Sequence, residues 1–228
     1  MSSKAGGNTY NSQASAANDV VKQIESRGQK AAALQLNTGD IKTFDLFINQ
    51  LTETLDKKFN TNRIDFLINN AGTGSYIPFI EVTEDSFDEL LNIHFKGVYF
   101  LTQRLVPLLS DGGGIVNISS GLTRVTSPNS SAYASMKGAV EVFTRYLAKE
   151  LGARQIRANI VAPGAILTDF GGGRLRANEQ LQQFICGITA LGRPGVAEDI
   201  GGVVAFLCSE DARWVNGQRL EASGGMQV

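Results

Sequence analysis

Tyr133-Ala134-Ser135-Met136-Lys137 sets a phenol and an ammonium four residues apart, the spacing that brings two side chains onto one helical face. A free phenol ionises near pH ~10 and is a poor base at neutrality. A neighbouring cation favours the phenolate and lowers that value. A tyrosine tuned in this way can pass a proton to or from a substrate oxygen. Tyr-x-x-x-Lys arises by chance in many helices, so its surroundings must decide. Upstream, Ile115-Val116-Asn117-Ile118-Ser119-Ser120 reads as a strand ending in two hydroxyls. In a parallel sheet the end of such a strand and the start of the next helix face one crevice. A serine there could hold the reacting oxygen against Tyr133. Taken alone, the pair would read as a turn or a helix cap.

The elements that must position these groups follow an alternating pattern. Helical periodicity runs from Gln13 to Arg27, with Ala17, Val20, Val21 and Ile24 on one face and Gly28 as the stop. Ala31 to Leu36 is a buried strand, and Ile41 to Phe59 a helix with Phe44, Phe47, Ile48, Leu51 and Leu55 on its stripe. Ile64 to Ile68 is a strand, Glu84 to Leu109 a long helix capped by Thr83, and Ile115 to Ser119 a strand. Ala132 to Leu151 is helical, and Arg157 to Ala162 is a strand cut off by Pro163-Gly164. Short helices near Glu179 to Ile188 and Val196 to Cys208 precede a last strand, Gln218 to Ala222. Continuous apolar strands alternating with helices indicate an α/β fold with a doubly wound, Rossmann-like parallel sheet, and a ligand crevice at its carboxyl ends. No internal repeat breaks the pattern, so residues 1–228 read as one domain.

Composition narrows the function. With 43% apolar and 19% charged residues the chain is ordinary for a globular protein. A net charge of -1 and scattered Lys and Arg offer no footprint for nucleic acid. The first residues carry no secretory signal and no stretch could span a membrane, so a cytoplasmic protein is expected. Cys186 and Cys208 sit in apolar runs without metal-ligand spacing, which reads as buried thiols and no metal. His94, the sole histidine, reads as a packed or solvated helix residue.

Several motifs together resemble the short-chain dehydrogenase/reductase family, in particular its 3-oxoacyl-acyl-carrier-protein reductase-like members. They are Asn69-Asn70-Ala71-Gly72, the serine pair, Tyr133 with Lys137, and Pro163-Gly164-Ala165-Ile166-Leu167-Thr168, in that order. Gly192-Arg193-Pro194-Gly195, Asn216-Gly217-Gln218 and Ser223-Gly224-Gly225 extend the likeness from about Val20 to Gly225. The resemblance implies an NAD(P)-dependent oxidoreductase moving a hydride between a nicotinamide and a small-molecule carbonyl or alcohol. It makes Tyr133 the general acid/base, Lys137 its partner and Ser120 the catalytic serine. Asn92 matches the helix asparagine that holds a water behind the lysine. Asn70, Ala71 and Gly72 would line the ribose and adenosine side, and Pro163, Gly164, Ile166 and Thr168 the nicotinamide. Lys137 and Tyr133 also meet the cofactor, and Asn37 stands where the family has an adenine-contacting aspartate. A variable substrate lid falls around residues 169–192, where Arg174 and Arg176 could attract an acidic or acyl-carrier substrate. Pairing of the long helices between subunits implies a homodimer or homotetramer.

The family's Thr-Gly-x-x-x-Gly-x-Gly phosphate turn has no counterpart; Gly112-Gly113-Gly114 and Gly171-Gly172-Gly173 lie elsewhere. By that comparison the chain begins near the end of the family's second strand, at about Met1-Ser2-Ser3-Lys4, with the first strand absent. Ser2, Ser3 and Lys4 would then favour NADP over NAD. A non-catalytic binding or scaffold relative is the alternative. A sugar-nucleotide epimerase or dehydratase shares the Tyr/Lys pair, but fits the short chain and Asn69-Asn70-Ala71-Gly72 poorly.

Overall fold

Two parallel ladders, not one, carry the chain in the computed structural model, which describes residues 5–228. β1 (Ala5–Tyr10) pairs with β2 (Lys30–Gln35), and β3 (Ile64–Asn69), β4 (Leu109–Ile118), β5 (Arg157–Pro163) and β6 (Arg219–Ala222) form the second ladder in that order. Among the described residues no ladder joins β1 to β3. Residues 1–4, on which the expected end of a strand and the NADP preference were placed, lie outside the described residues. The strand that follows them, AGGNTY, was not expected: two glycines and no apolar alternation hide it.

The helices are α1 (Ala14–Glu25), α2 (Phe44–Thr54), α3 (Glu84–Leu91), α4 (Gly97–Leu105), α5 (Ser131–Glu150), α6 (Arg174–Ala177), α7 (Glu179–Ile188) and α8 (Ala197–Leu207). The long helix expected from Glu84 to Leu109 is divided. A π turn, Asn92–Lys96, separates α3 from α4, and Leu109 already opens β4. Periodicity cannot show such a turn, because one extra residue leaves the apolar spacing on either side intact.

Alternation along the strands sends neighbouring residues to opposite layers. Ile115 of β4 joins Leu147 and Ala148 of α5 on one face, while Val116 joins Leu207 of α8 on the other. On the α5 side, Leu36, Phe44, Phe47, Leu101 and Leu105 continue the core toward β2. β5 is sandwiched most completely, with every residue from Arg157 to Ala162 buried. Its Arg157 guanidinium is satisfied by the carbonyls of Leu207 (3.0 Å) and Ala212 (2.9 Å). Gly112 and Gly113 lie inside β4, where the register against β3 shifts. Gly112 has φ of 80°, and a Cβ on Gly113 would collide with the Asp65 carbonyl. Both cysteines are free and half-buried, less enclosed than expected. No helix among the described residues is long and apolar enough to cross a membrane.

Candidate active site

The carboxyl end of β4 and the first turns of α5 bring Ser120, Tyr133 and Lys137 together. Ser130 precedes α5, so Tyr133 and Lys137 lie on its first two turns, and both side chains are buried. The Lys137 ammonium donates to the carbonyl of Ile118 at 2.9 Å, the last residue of β4. Its Nζ stands 5.7 Å from the Tyr133 ring centre. Ser120, two residues beyond β4, lies close enough to the phenol for its hydroxyl to oppose the rise in pKa. Its Oγ also accepts from the Leu122 amide at 3.2 Å, so it caps the following turn as well. Ser119 points away and donates to Glu141 at 2.7 Å.

The electrostatics differ from the expectation of an acidified phenol. Burial pushes the Tyr133 phenol up to about 12, with nearby Tyr76 adding to the rise. Burial also pulls the Lys137 ammonium down to about 8. Enclosure penalises either charge more than the ammonium rewards a phenolate, since Lys137 spends its closest contact on a carbonyl. The Tyr133 phenol is therefore protonated at neutral pH.

Behind these groups lies support that no local spacing could disclose. Glu141 Oε1 accepts from Ser119 (2.7 Å), Thr123 (2.7 Å) and Arg219 (2.8 Å). Arg219 also reaches the Ser120 carbonyl at 3.2 Å, tying β6 to the serine loop. Across the ladder, Asn69 bonds Thr102 (3.0 Å) and Asn117 (2.8 Å), and Asn117 bonds Thr144 (2.8 Å). These polar side chains cross from β3 and β4 to α4 and α5, fully paired as buried polar groups should be.

The remaining expected residues spread along the strand ends. Asn70, Ala71 and Gly72 are exposed in the irregular segment after β3. Pro163 ends β5, and Gly164 allows close approach, since a Cβ there would lie 2.8 Å from Ser223 Cα. Ile166 bridges to Gly195, and the Thr168 hydroxyl accepts from the Phe170 amide at 3.3 Å. Asn37, after β2, is exposed and folds its side chain onto the Gly39 amide at 2.9 Å. Asn92 opens the π turn, half-buried, and its side chain makes no hydrogen bond among the described residues. Two places later stands His94, fully buried and edge-on to Tyr133 with ring centres 5.1 Å apart. Nothing in the sequence around a lone histidine distinguishes that position from a solvated one.

Aromatic side chains frame the mouth. Phe170 lies 5.9 Å from the Tyr133 ring, centre to centre, and Gly171 touches Tyr76. Arg174 sits over the Tyr76 face at 5.1 Å, and Arg176 pairs with Asp169 at 2.7 Å. The two arginines expected to draw an acidic substrate are thus already engaged. A Cβ on Gly74 would lie 2.7 Å from Gly171 Cα, so the segments after β3 and β5 meet backbone to backbone.

The model of the enoyl-(acyl carrier protein) reductase family matches residues 4–227. The chain belongs to the short-chain dehydrogenase/reductase family. An uncharacterized oxidoreductase of Methylorubrum extorquens is 37% identical over 218 residues, 96% of this chain and 86% of the relative. A hydroxynaphthalene reductase-like protein, Arp2, of Metarhizium brunneum is 34% identical, with 95% and 83% covered. The crystal structure of the angucycline C-6 ketoreductase LanV with bound NADP superposes with a TM-score of 0.90 at 35% identity, covering 96% of this chain and 84% of that one. The superposition places this short-chain dehydrogenase/reductase among the Rossmann folds, as the alternation of strands and helices implied.

Proposed function

We propose that this protein is an NADP(H)-dependent ketoreductase that converts a ketone on a flat, fused-ring substrate into an alcohol. The observation that carries the reading is a buried, protonated Tyr133 beside the Ser120 hydroxyl and the Lys137 ammonium where β4 ends and α5 begins. Hydroxynaphthalene names a fused aromatic system, which agrees with the Tyr76 and Phe170 rings near Tyr133. NADP is the cofactor in the ketoreductase that superposes on this chain.

The nicotinamide end of such a cofactor fits the residues present. Lys137 retains N–H donors beyond its bond to Ile118, and the Thr168 hydroxyl, which accepts from the Phe170 amide, retains its own donor. Pro163, Gly164, Ile166 and Thr168 would hold the nicotinamide; Asn70, Ala71 and Gly72 the ribose and adenosine side; Asn37 the adenine. Asn92 stands behind Lys137 in the same reading. When bound, the reduced nicotinamide supplies the hydride. Ser120 donates to the substrate oxygen and holds it beside Tyr133. Tyr133 then gives that oxygen its proton, and the raised pKa keeps the donor loaded at neutral pH. Orientation of the oxygen and stabilisation of its developing charge would supply most of the acceleration. Exposed Tyr99, Val142 and Tyr146 on α4 and α5 support self-association through these helices.

The test is absorbance loss at the nicotinamide band with NADPH or NADH and a panel of naphthol-derived, polycyclic and small aliphatic ketones. Tyr133→Phe should lower kcat by about 100-fold or more while NADPH binding, read by fluorescence, stays intact. A variant within tenfold of the parent removes Tyr133 from the chemistry. Binding of neither nucleotide favours the non-catalytic alternative.

A further inference from the structure

Ser119 makes the last sheet bond of β4, its amide donating to the Val161 carbonyl at 2.8 Å. Ser120 belongs to a turn of its own. The amides of Thr123 and Arg124 return to the carbonyls of Ser120 (3.2 Å) and Gly121 (3.0 Å), and the buried Val125 bonds Gly121 at 2.9 Å. With the Leu122 amide on the Ser120 hydroxyl, residues 120–125 move as one piece. What seats that piece therefore decides where the Ser120 hydroxyl stands relative to Tyr133.

Arg124 supplies the widest anchorage. Its Nε donates to Glu221 Oε2 at 2.8 Å, and its Nη2 to Glu221 Oε1, across to β6. Nη2 also donates to the Met226 carbonyl at 2.6 Å, and Nη1 to the Gln227 carbonyl at 3.1 Å. Four of the five guanidinium N–H groups are thus committed. The segment they grip is itself fixed. The Gly224 and Gly225 carbonyls accept from Leu191 (3.0 Å) and Ala190 (3.1 Å), and the Gln227 amide donates to Ile188 at 2.8 Å. Glu221 Oε2 is shared with Arg219 Nη1 at 2.8 Å. The Arg124 guanidinium is the main influence holding the Glu221 carboxyl down at about 2, so this partner stays ionised. Gly121 leaves no slack, since a Cβ there would lie 3.2 Å from the Pro163 oxygen and 3.4 Å from Met226 Cε.

The Arg124 side chain is 38% exposed, and an ion pair so exposed contributes little to folding. The same bonds fix the seat of a turn that carries a reacting hydroxyl. We propose that Arg124 is a positioning residue that clamps the Ser120 turn to β6 and to residues 226–227, and so holds the Ser120 hydroxyl in place against Tyr133. This rests on the reading of Ser120 and Tyr133 as the pair that binds and protonates the substrate oxygen. Among the described residues the Arg124 guanidinium donates only to Glu221, Met226 and Gln227, so its influence on the phenol passes through the turn. Arg219 also holds the turn, at the Ser120 carbonyl (3.2 Å) and the Thr123 hydroxyl (3.1 Å). Loss of Arg124 therefore leaves the turn tethered but loose at its far end. Lysine cannot take over, because a point donor does not span a carboxylate fork and two carbonyls at once.

A double-mutant cycle separates positioning from plain stability. Arg124→Met should lower kcat for a ketone about tenfold, while NADPH affinity, read by fluorescence, stays unchanged. In a Ser120→Ala background the same substitution should change kcat by less than about twofold, since the hydroxyl it positions is gone. Arg124→Lys should lose nearly as much as Arg124→Met, although the charge is kept. Amide exchange of the intact protein, with neither substrate nor cofactor, should be about tenfold faster at Leu122 in Arg124→Met and unchanged along β5. Additive losses in the cycle, a lysine variant with the parent's kcat, or an unaltered Leu122 amide overturns the proposal. Should Arg124→Met not fold, Glu221→Gln carries the same cycle and the same exchange measurement, with a smaller loss that again vanishes beside Ser120→Ala. If the parent reduces no ketone, the ketoreductase reading fails, while exchange at Leu122 still decides whether Arg124 seats the turn.

Discussion

β5 and β1 are both parallel strands of similar length, yet their surroundings are opposite. Arg157 to Ala162 of β5 are all buried, whereas none of Gly6 to Tyr10 of β1 is. β5 has helices on both faces and a guanidinium fixing two carbonyls at its entry. β1 has β2 on one side and α1 against it. The candidate chemistry is gathered at the end of the enclosed region. Groups that must be held within fractions of an ångström lean on strands whose both sides are packed.

The two regions meet where Thr38, after β2, touches Gly97 at the start of α4, and Gly39 touches Ile93. Gly97→Ala sharpens the comparison most, because its Cβ would collide with the Thr38 carbonyl. We expect a loss of about 3 kcal/mol, with the β1–β2 amides losing hydrogen-exchange protection before those of β5. Equal loss of protection in both would show that they unfold as one unit.

Within the enclosed region, Glu141→Gln should cost about 1–3 kcal/mol in urea unfolding, since it leaves Arg219 short of a partner. It should also lower kcat by loosening the Ser120 loop, without touching β1. A stability loss with unchanged kcat would separate that network from the site. A titration gives the next effect. The His94 pKa falls from its ordinary 6.5 to about 4 on folding, so the unfolded chain binds more protons between those values. Stability should then drop by up to about 3 kcal/mol as pH falls from 6.5 to 4. His94→Asn should flatten that part of the profile. At the other end of the scale stands Asp45→Ala, which removes the exposed Arg104–Asp45 pair at 2.7 Å. It should shift stability by less than about 0.5 kcal/mol.

Legibility in the sequence follows the same division. Strand β2, β4 and β5, helix α5 and the Tyr133–Lys137 pair were readable, because apolar runs and four-residue spacing are local signals. AGGNTY was not, since β1 is defined by its ladder with β2 and not by buried side chains of its own. Of the site, Ser120 was distinguishable from Ser119 only through the family's spacing, while the structure separates them by where each hydroxyl is bonded. Glu141, Arg219, Asn117 and Thr144 carry no signal of their own, because partners 18 to 99 positions apart leave no trace in a window. The raised phenol was misjudged for a related reason: four-residue spacing tells of proximity but nothing of desolvation.

The Lys137 ammonium is anchored to a peptide oxygen, not to another side chain. The gap between cation and serine loop is therefore measured by main chain and not by the length of a β4 side chain. A slip of β4 by one residue against β5 would instead present Ser119 where Ser120 now faces the phenol. An insertion or deletion within this strand therefore moves the hydroxyl that meets the phenol, which no side-chain exchange at Ile118 would do.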